Sequence, residues 1–142
     1  MSEMELKEKE KTKEEIIKDV VEDVSRTIPV IKNLLESVSI SINSNNFEEA
    51  IKLLNPVITT LVFVSQIISY LESESDKKEI DSITINGEKI SDIEKKWILK
   101  LEELRNSIRN NDMIKAGDII SYELPAEIER QVEIMKRLVA KK

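Results

Sequence analysis

Residues 41–50 read SINSNNFEEA, and residues 107–116, which lie 66 positions further along, read SIRNNDMIKA. Both stretches have the same design: the end of an apolar helix, a polar turn rich in Asn, and the start of a second helix. The match extends upstream, where Leu35 aligns with Leu101. Because the matched positions are apolar and turn positions rather than surface ones, the repeat predicts two helical hairpins.

Composition excludes several classes of function. The 142 residues include no Cys and no His, so a disulfide framework, a thiol nucleophile, a thiolate metal site and imidazole chemistry are all excluded. The 28 acidic and 22 basic residues give a net charge of −6. Nucleic-acid binding depends on a concentrated excess of Lys and Arg. We therefore predict no nucleic-acid partner, no cofactor and no metal.

Two segments, the N-terminus and the most apolar stretch, indicate where in the cell we expect the protein. Residues 1–15 alternate Lys and Glu and contain no apolar run of the kind found in a secretory signal. Residues 57–71 carry no charge, but they are shorter than the roughly 20 apolar residues that a membrane span needs. We predict a cytoplasmic protein without a membrane partner. A composition rich in Lys, Glu, Ile and Asn suggests a prokaryotic, bacterial source.

The first helix is predicted from a regular apolar seam. Its members are spaced alternately four and three residues apart, and they are Ile17, Val21, Val24, Ile28, Ile31, Leu35, Val38 and Ile42. Pro29 lies inside the seam without disturbing its phase. We favour one long, kinked helix over residues 14–43, with residues 1–13 as a charged tail that is frayed or extends the helix. A break at Thr27 and Ile28, with Pro29 at the first helical position, is the alternative.

The crossover between the two hairpins has a different pattern. A second helix is predicted over residues 46–74, with Asn45 or Asn46 as its N-cap and Pro56 as a kink. In residues 83–90, β-branched residues flank the dipeptide Asn86-Gly87, which is the strongest short signal for a β-hairpin. A small β-hairpin or tight turn is therefore expected there.

Two further helices complete the predicted fold. The sequence of residues 91–94, SDIE, matches a capping box and predicts the start of the third helix, and the fourth is predicted to begin at about Asp112, with Pro125 as a third kink. Four amphipathic helices with short turns favour an all-α fold, an antiparallel four-helix bundle made of two hairpins, as a single domain over residues 14–142.

Two resemblances concern the architecture. The entry to the second helix, with Phe-Glu-Glu-Ala at residues 47–50, resembles the second helix of a tetratricopeptide repeat, which implies a solenoid of hairpins as the alternative to a bundle. Residues 118–125, DIISYELP, resemble an Asp-hydrophobic-hydrophobic-x-Tyr-Glu-x-x-Pro box of uncharacterised small helical bacterial proteins. The second resemblance implies a helical fold and leaves the function open.

One resemblance implies an enzyme. Residues 117–122, GDIISY, resemble the last metal-binding helix of the all-α nucleotide pyrophosphatases, which hold Mg²⁺ with clustered carboxylates. That family places acids where this chain has Lys115 and Arg105. The resemblance implies, as an alternative function, a Mg²⁺-dependent nucleotide pyrophosphohydrolase that uses Asp118 and Glu123.

The preferred function is non-enzymatic. We predict a helical protein–protein interaction module, an adaptor, chaperone or regulator, that binds a partner helix in a groove or associates with itself as a homodimer through the seam of the first helix. The candidate partner-binding residues are Trp97, Asp118, Tyr122 and Glu123. Trp97 is the only Trp in the sequence, and Trp is enriched at interfaces.

Overall fold

The computed structural model describes residues 12–141 and confirms that they form an all-α fold with one two-stranded sheet. Its elements in chain order are α1 (Lys13–Asn43), α2 (Phe47–Ser73), α3 (Lys77–Ser82), β1 (Thr84–Ile85), β2 (Glu88–Lys89), α4 (Ile90–Arg109), α5 (Met113–Asp118), a π-helical turn (Ile119–Glu123) and α6 (Leu124–Ala140). Most of the predicted tail, residues 1–11, lies outside the described residues.

Helix α1 is one continuous helix, as the unbroken seam predicts. Thr12 caps its first turn by accepting a hydrogen bond from the backbone N–H of Glu15. Pro29 lies inside the helix, and the seam residues on both sides of it, from Val21 to Ile42, are buried. The predicted break at Thr27 and Ile28 does not occur. The seam from Val21 to Ile42 is therefore part of the chain's own core.

The two Asn-rich turns have the same backbone structure. At the first, Asn45 has φ of 59°, and the N–H of Asn46 donates to the carbonyl of Ser41 at 2.8 Å. At the second, Asn111 has φ of 55°, and Asp112 donates to Ser107 at 2.8 Å. Both are Schellman-type helix ends, in which Asn takes the left-handed position that Gly usually occupies. The 66-residue sequence repeat is therefore a structural repeat.

The crossover confirms the predicted hairpin. Strands β1 and β2 pair antiparallel around Asn86 and Gly87, whose φ angles of 52° and 80° give the two positive values that a type I′ turn needs. The predicted capping box at residues 91–94 is wrong. Helix α4 already begins at Ile90, which is buried, and Lys89 at its N-cap makes no side-chain cap hydrogen bond. The six-residue helix α3, capped by Asp76, was not predicted.

A π-helical turn joins α5 to α6. The buried residues Ala116, Ile120, Leu124 and Ile128 recur every four positions. A regular α-helix turns 100° per residue, so each four-residue step moves a side chain by about 40° around the axis, and three steps move it by about 120°. The wider turn at Ile119–Glu123, closed by the N–H of Leu124 on the carbonyl of Ile119, absorbs this drift and keeps the apolar stripe facing the core.

Helix α6 lies at the centre of the core. It packs against α1, α2 and α4, while α1 and α2 pack against each other along the first hairpin. Its core residues are almost fully buried, and they include Leu124, Ile128, Ile134, Met135 and Leu138. Helix α4 packs on α5 and α6 and makes little backbone contact with α2. This uneven packing leaves a gap between α2 and α4.

Candidate functional site

Helix α2 is apolar on two faces. One face, which includes Leu54, Val57 and Val64, is buried in the core, whereas Ile58 and Val62 on the other face are 43% and 51% exposed. Helix α2 is long and apolar enough to cross a membrane, a property that core helices of soluble proteins share. In the most apolar 18-residue stretch of α2, 33% of the residues are buried. The exposed apolar face borders the gap between α2 and α4.

This gap is a groove with an apolar part and a polar part, which we call the α2–α4 groove. The apolar part is a cleft of about 360 Å³ lined by Ile58, Leu61, Val62, Ser65, Gln66, Ser69 and Leu101. The polar part, which we call the acidic end, is a cleft of about 350 Å³ lined by Ser65, Ile68, Ser69, Glu72, Glu94, Trp97, Ile98 and Gln131. Because Ser65 and Ser69 line both parts, the two clefts adjoin each other along α2.

Two carboxyl groups meet at the acidic end. Glu72 from the last turns of α2 and Glu94 from the first turns of α4 are both half-buried and share a hydrogen bond. Burial, followed by the hydrogen bond and the charge of Glu72, raises the pKa of Glu94 to about 8. At neutral pH the Glu94 carboxyl therefore keeps its proton and donates it to the Glu72 carboxylate. The pair carries one negative charge and offers acceptor oxygens to a bound group.

Two buried N–H groups at the acidic end lack a partner. Trp97 and Gln131 are 4% and 2% exposed, and neither Trp97 Nε1 nor Gln131 Nε2 makes a hydrogen bond within residues 12–141. Buried polar groups are almost always paired in folded proteins, and an unpaired one costs about 1–3 kcal/mol. One turn before Gln131, Glu127 uses one oxygen to pair with Arg130, and its other oxygen is also unpaired among the described residues. Both of these N–H groups belong to residues that line the acidic end.

A second surface lies where the two Asn turns meet. It is a cleft of about 310 Å³ lined by Ser39, Ile42, Asn43, Asn45, Phe47, Met113, Ile114, Gly117, Asp118, Ser121 and Tyr122. The hydroxyls of Ser39 and Ser121 hydrogen-bond at 2.6 Å and tie the π-helical turn to α1. Tyr122 and Ile114 are 80% and 82% exposed. Unlike the acidic end, this cleft contains no buried polar group without a partner among residues 12–141.

The four predicted site residues fall in three places. Trp97 lies at the acidic end of the groove, and Asp118 and Tyr122 line the cleft at the Asn turns. Glu123 accepts a hydrogen bond at 2.7 Å from Lys100, which raises the pKa of that lysine. The side chain of Tyr122 is largely exposed. The structure does not bring Trp97 together with the other three.

Sequence reasoning missed the groove residues Glu72, Glu94 and Gln131. Glu94 was assigned to a capping box that does not form, although its position one turn before Trp97 places both on one face of α4. Gln131 carried a usable signal, because it is a polar residue one turn from Ile128 and Met135 on the core side of α6. Glu72 carried none, since it lies in the polar last turn of α2, where charged residues are ordinary.

The predicted Mg²⁺ ligands do not form a cluster. Within residues 12–141, no group of three or more acidic side chains is close enough to hold a metal ion. Glu123 is engaged by Lys100, and Asp118 lies in the cleft at the Asn turns. Neither carboxylate is placed to share a cation with the other acids that the pyrophosphatase resemblance requires.

Comparison with known proteins gives one result. Neither a curated protein nor a solved structure matches the chain. The model of one protein family matches residues 19–132. These residues run from the first turns of α1 into α6. They include both Asn turns and every residue that lines the acidic end. The chain therefore belongs to the family described as Domain of unknown function (DUF8042).

Proposed function

We propose that this protein is a helical protein–protein interaction module that binds an amphipathic helix of a partner protein in the α2–α4 groove. One observation carries the proposal: an apolar face of α2 stays exposed and borders an open groove rather than packing against α4. Apolar grooves between helices recognise partner helices through apolar residues spaced three and four apart. The acidic end determines which partner fits, because it favours a positively charged group.

We further propose that the overall arrangement is an antiparallel four-helix bundle in which α1 with α2, and α4 with α5–α6, form two hairpins. The short Schellman turns support this, because they reverse the chain between packed helices. Pro29 and Pro56 lie inside α1 and α2, and Pro125 lies in the first turn of α6, where a proline costs no helical hydrogen bond. In such a bundle α4 is held by α6, so the side between α2 and α4 remains open to a fifth helix.

The orientation of the partner helix follows from charge. A helix carries a partial positive charge at its N-terminus, which is stabilised by nearby carboxylates. Glu72 and Glu94 lie at one end of the groove, and the apolar residues Ile58 and Val62 lie toward the other. The partner helix therefore lies with its N-terminal end at Glu72 and Glu94 and its apolar stripe over Ile58 and Val62.

The test is a quantitative comparison of captured partners. Wild-type protein and the variants Val62→Asp and Ile114→Asp are used to capture proteins from the native cell extract. Both substitutions replace an exposed β-branched residue on a helix, but only Val62 lines the groove. We expect a partner that is retained by wild type and Ile114→Asp and lost with Val62→Asp, since a carboxylate in the groove must be desolvated by an apolar helix.

Three outcomes contradict the proposal. A partner that is lost with Ile114→Asp and kept with Val62→Asp moves the interface to the Asn turns. A concentration-dependent dimer in light scattering that Val62→Asp abolishes assigns the groove to a second copy of the chain. Thermal stabilisation by Mg²⁺ and a nucleotide that Asp118→Ala removes supports the hydrolase instead.

A further inference from the structure

The acidic end of the α2–α4 groove presents a specific set of hydrogen-bonding groups. Glu72 and Glu94 supply acceptor oxygens, and Trp97 and Gln131, which line the same cleft, have buried N–H donors without a partner within residues 12–141. These four side chains come from three helices, α2, α4 and α6, and line one cleft. A ligand that uses all of them needs a cationic donor and an oxygen acceptor close together.

We infer that this cleft receives the free N-terminus of a polypeptide, with its ammonium group bound by Glu72 and Glu94 and its first carbonyl oxygen bound by Trp97 and Gln131. This inference rests on the proposed function and identifies the part of the partner helix that occupies the acidic end. N-terminal amine capture is a recurring mode of peptide recognition.

The chemistry of the cleft favours an N-terminus over a lysine side chain. A lysine ammonium has three donors and no acceptor, so it leaves Trp97 Nε1 and Gln131 Nε2 unpaired. In an N-terminal residue the carbonyl is attached to the carbon that bears the ammonium, so one residue supplies both groups. The carboxyl pair then stabilises both the ammonium and the positive end of the helix that follows it.

The size of the cleft agrees with this occupant. Its volume of about 350 Å³ lies near the lower limit of small-ligand sites, which span roughly 300–1,000 Å³. It therefore suits one or two residues at a chain end, whereas the apolar part beyond Ser65 and Ser69 holds the side chains of the next turns.

The test uses small probes and the fluorescence of Trp97, which is the only Trp in the sequence and lines the cleft. The probes are leucinamide, N-acetyl-leucinamide and butylamine. Leucinamide carries both the ammonium and the carbonyl, and each of the other two lacks one essential feature. We expect leucinamide to bind at least about tenfold more tightly than either, a factor that corresponds to about 1.4 kcal/mol.

Variants locate the binding. Glu72→Gln should weaken leucinamide binding at least about tenfold, because a neutral amide replaces the carboxylate that pairs with the ammonium. Glu102→Gln removes an exposed carboxylate of α4 outside the cleft and should change nothing. Trp97→Phe should weaken leucinamide binding, because it removes the N–H and preserves an aromatic ring. Binding to this variant is measured by calorimetry, since the variant has no Trp fluorescence.

A peptide tests whether the bound N-terminus belongs to an amphipathic helix. An amphipathic helical peptide with a free N-terminus should bind more tightly than leucinamide, and acetylating it should remove most of that affinity. Val62 lines only the apolar part of the groove. Val62→Asp should therefore remove the extra affinity that the peptide has over leucinamide, and it should leave the affinity for leucinamide unchanged. The inference fails if leucinamide does not bind, if acetylation has no effect, or if Glu72→Gln binds as wild type. If the inference fails while the native partner still depends on Val62, the proposed function stands.

Discussion

The carboxyl pair at the acidic end makes the stability of the fold depend on pH. The folded-state pKa of Glu94, at about 8, lies above the ordinary value of 4.5, so its stabilising contribution is present below about pH 4.5 and is lost as the pH rises through about 8. In a dry interior this difference would be worth about 5 kcal/mol, at about 1.4 kcal/mol per pH unit. Glu94 is only half-buried, and solvent screening lowers the expected loss to about 1–2 kcal/mol between pH 5 and pH 9.

This contribution can be isolated because few other groups titrate in the same range. The sequence has no His and no Cys, so no other side chain has an ordinary pKa between 5 and 8.5. On the elements β2 and α6, Glu88 pairs with Lys96 and Glu127 pairs with Arg130. The hydrogen bond from Lys96 lowers the pKa of Glu88, so that group stays ionised above pH 5.

The assay is urea unfolding at pH 5, 7 and 9, followed by far-ultraviolet circular dichroism. A loss of about 1–2 kcal/mol lowers the urea midpoint by about 0.5–1 M when the slope is about 2 kcal/mol per molar. Glu94→Gln should show a flat midpoint, because its amide donates to Glu72 at every pH. Glu102→Gln should follow the wild type. A wild-type midpoint that stays constant from pH 5 to 9, or an equal decline in Glu94→Gln, would refute the assignment.

Two further predictions concern the helical framework. Gly117→Ala should raise the free energy of unfolding by about 0.5–1 kcal/mol, because Ala favours the helix more than Gly does. The added Cβ would lie 3.4 Å from Ile42 Cγ2, which is an ordinary contact. A lower melting temperature in calorimetry would show that there is no room for a methyl group between α1 and α5. Asn111→Ala should lower the free energy of unfolding by about 1–2 kcal/mol, since Ala disfavours the left-handed backbone, while Asn111→Gly should leave it nearly unchanged. Equal effects of Ala and Gly in chemical unfolding would mean that the side chain of Asn111, rather than its φ angle, stabilises the turn.

The features that the sequence predicted are those with local causes. The seam of α1 predicts one helix through Pro29, because every seam position keeps its phase. Asn45 and Asn111 predict the turns, because few residues tolerate positive φ. The hairpin at Asn86 and Gly87 follows from the same preference. In each case the signal lies within a few residues of the structure it specifies.

The groove has no such local cause. It exists because α4 packs on α6 rather than on α2, and that choice depends on the whole core. Glu72 and Glu94 are separated by the crossover, and their meeting depends on how α3 and the hairpin return the chain. Trp97 was selected as a candidate for its residue type alone, and sequence could not show that its N–H lacks a partner.

The π-helical turn at Ile119–Glu123 gives other members of this family a testable sequence signature. Where the apolar positions of the last helix are four apart over several steps, as from Ala116 to Ile128, the helix must contain an extra residue at this point. A relative that lacks that residue should show a single gap in an alignment and return to alternating spacings of three and four beyond it. The presence or absence of that gap would sort relatives by whether their Gln131 equivalent still faces the groove.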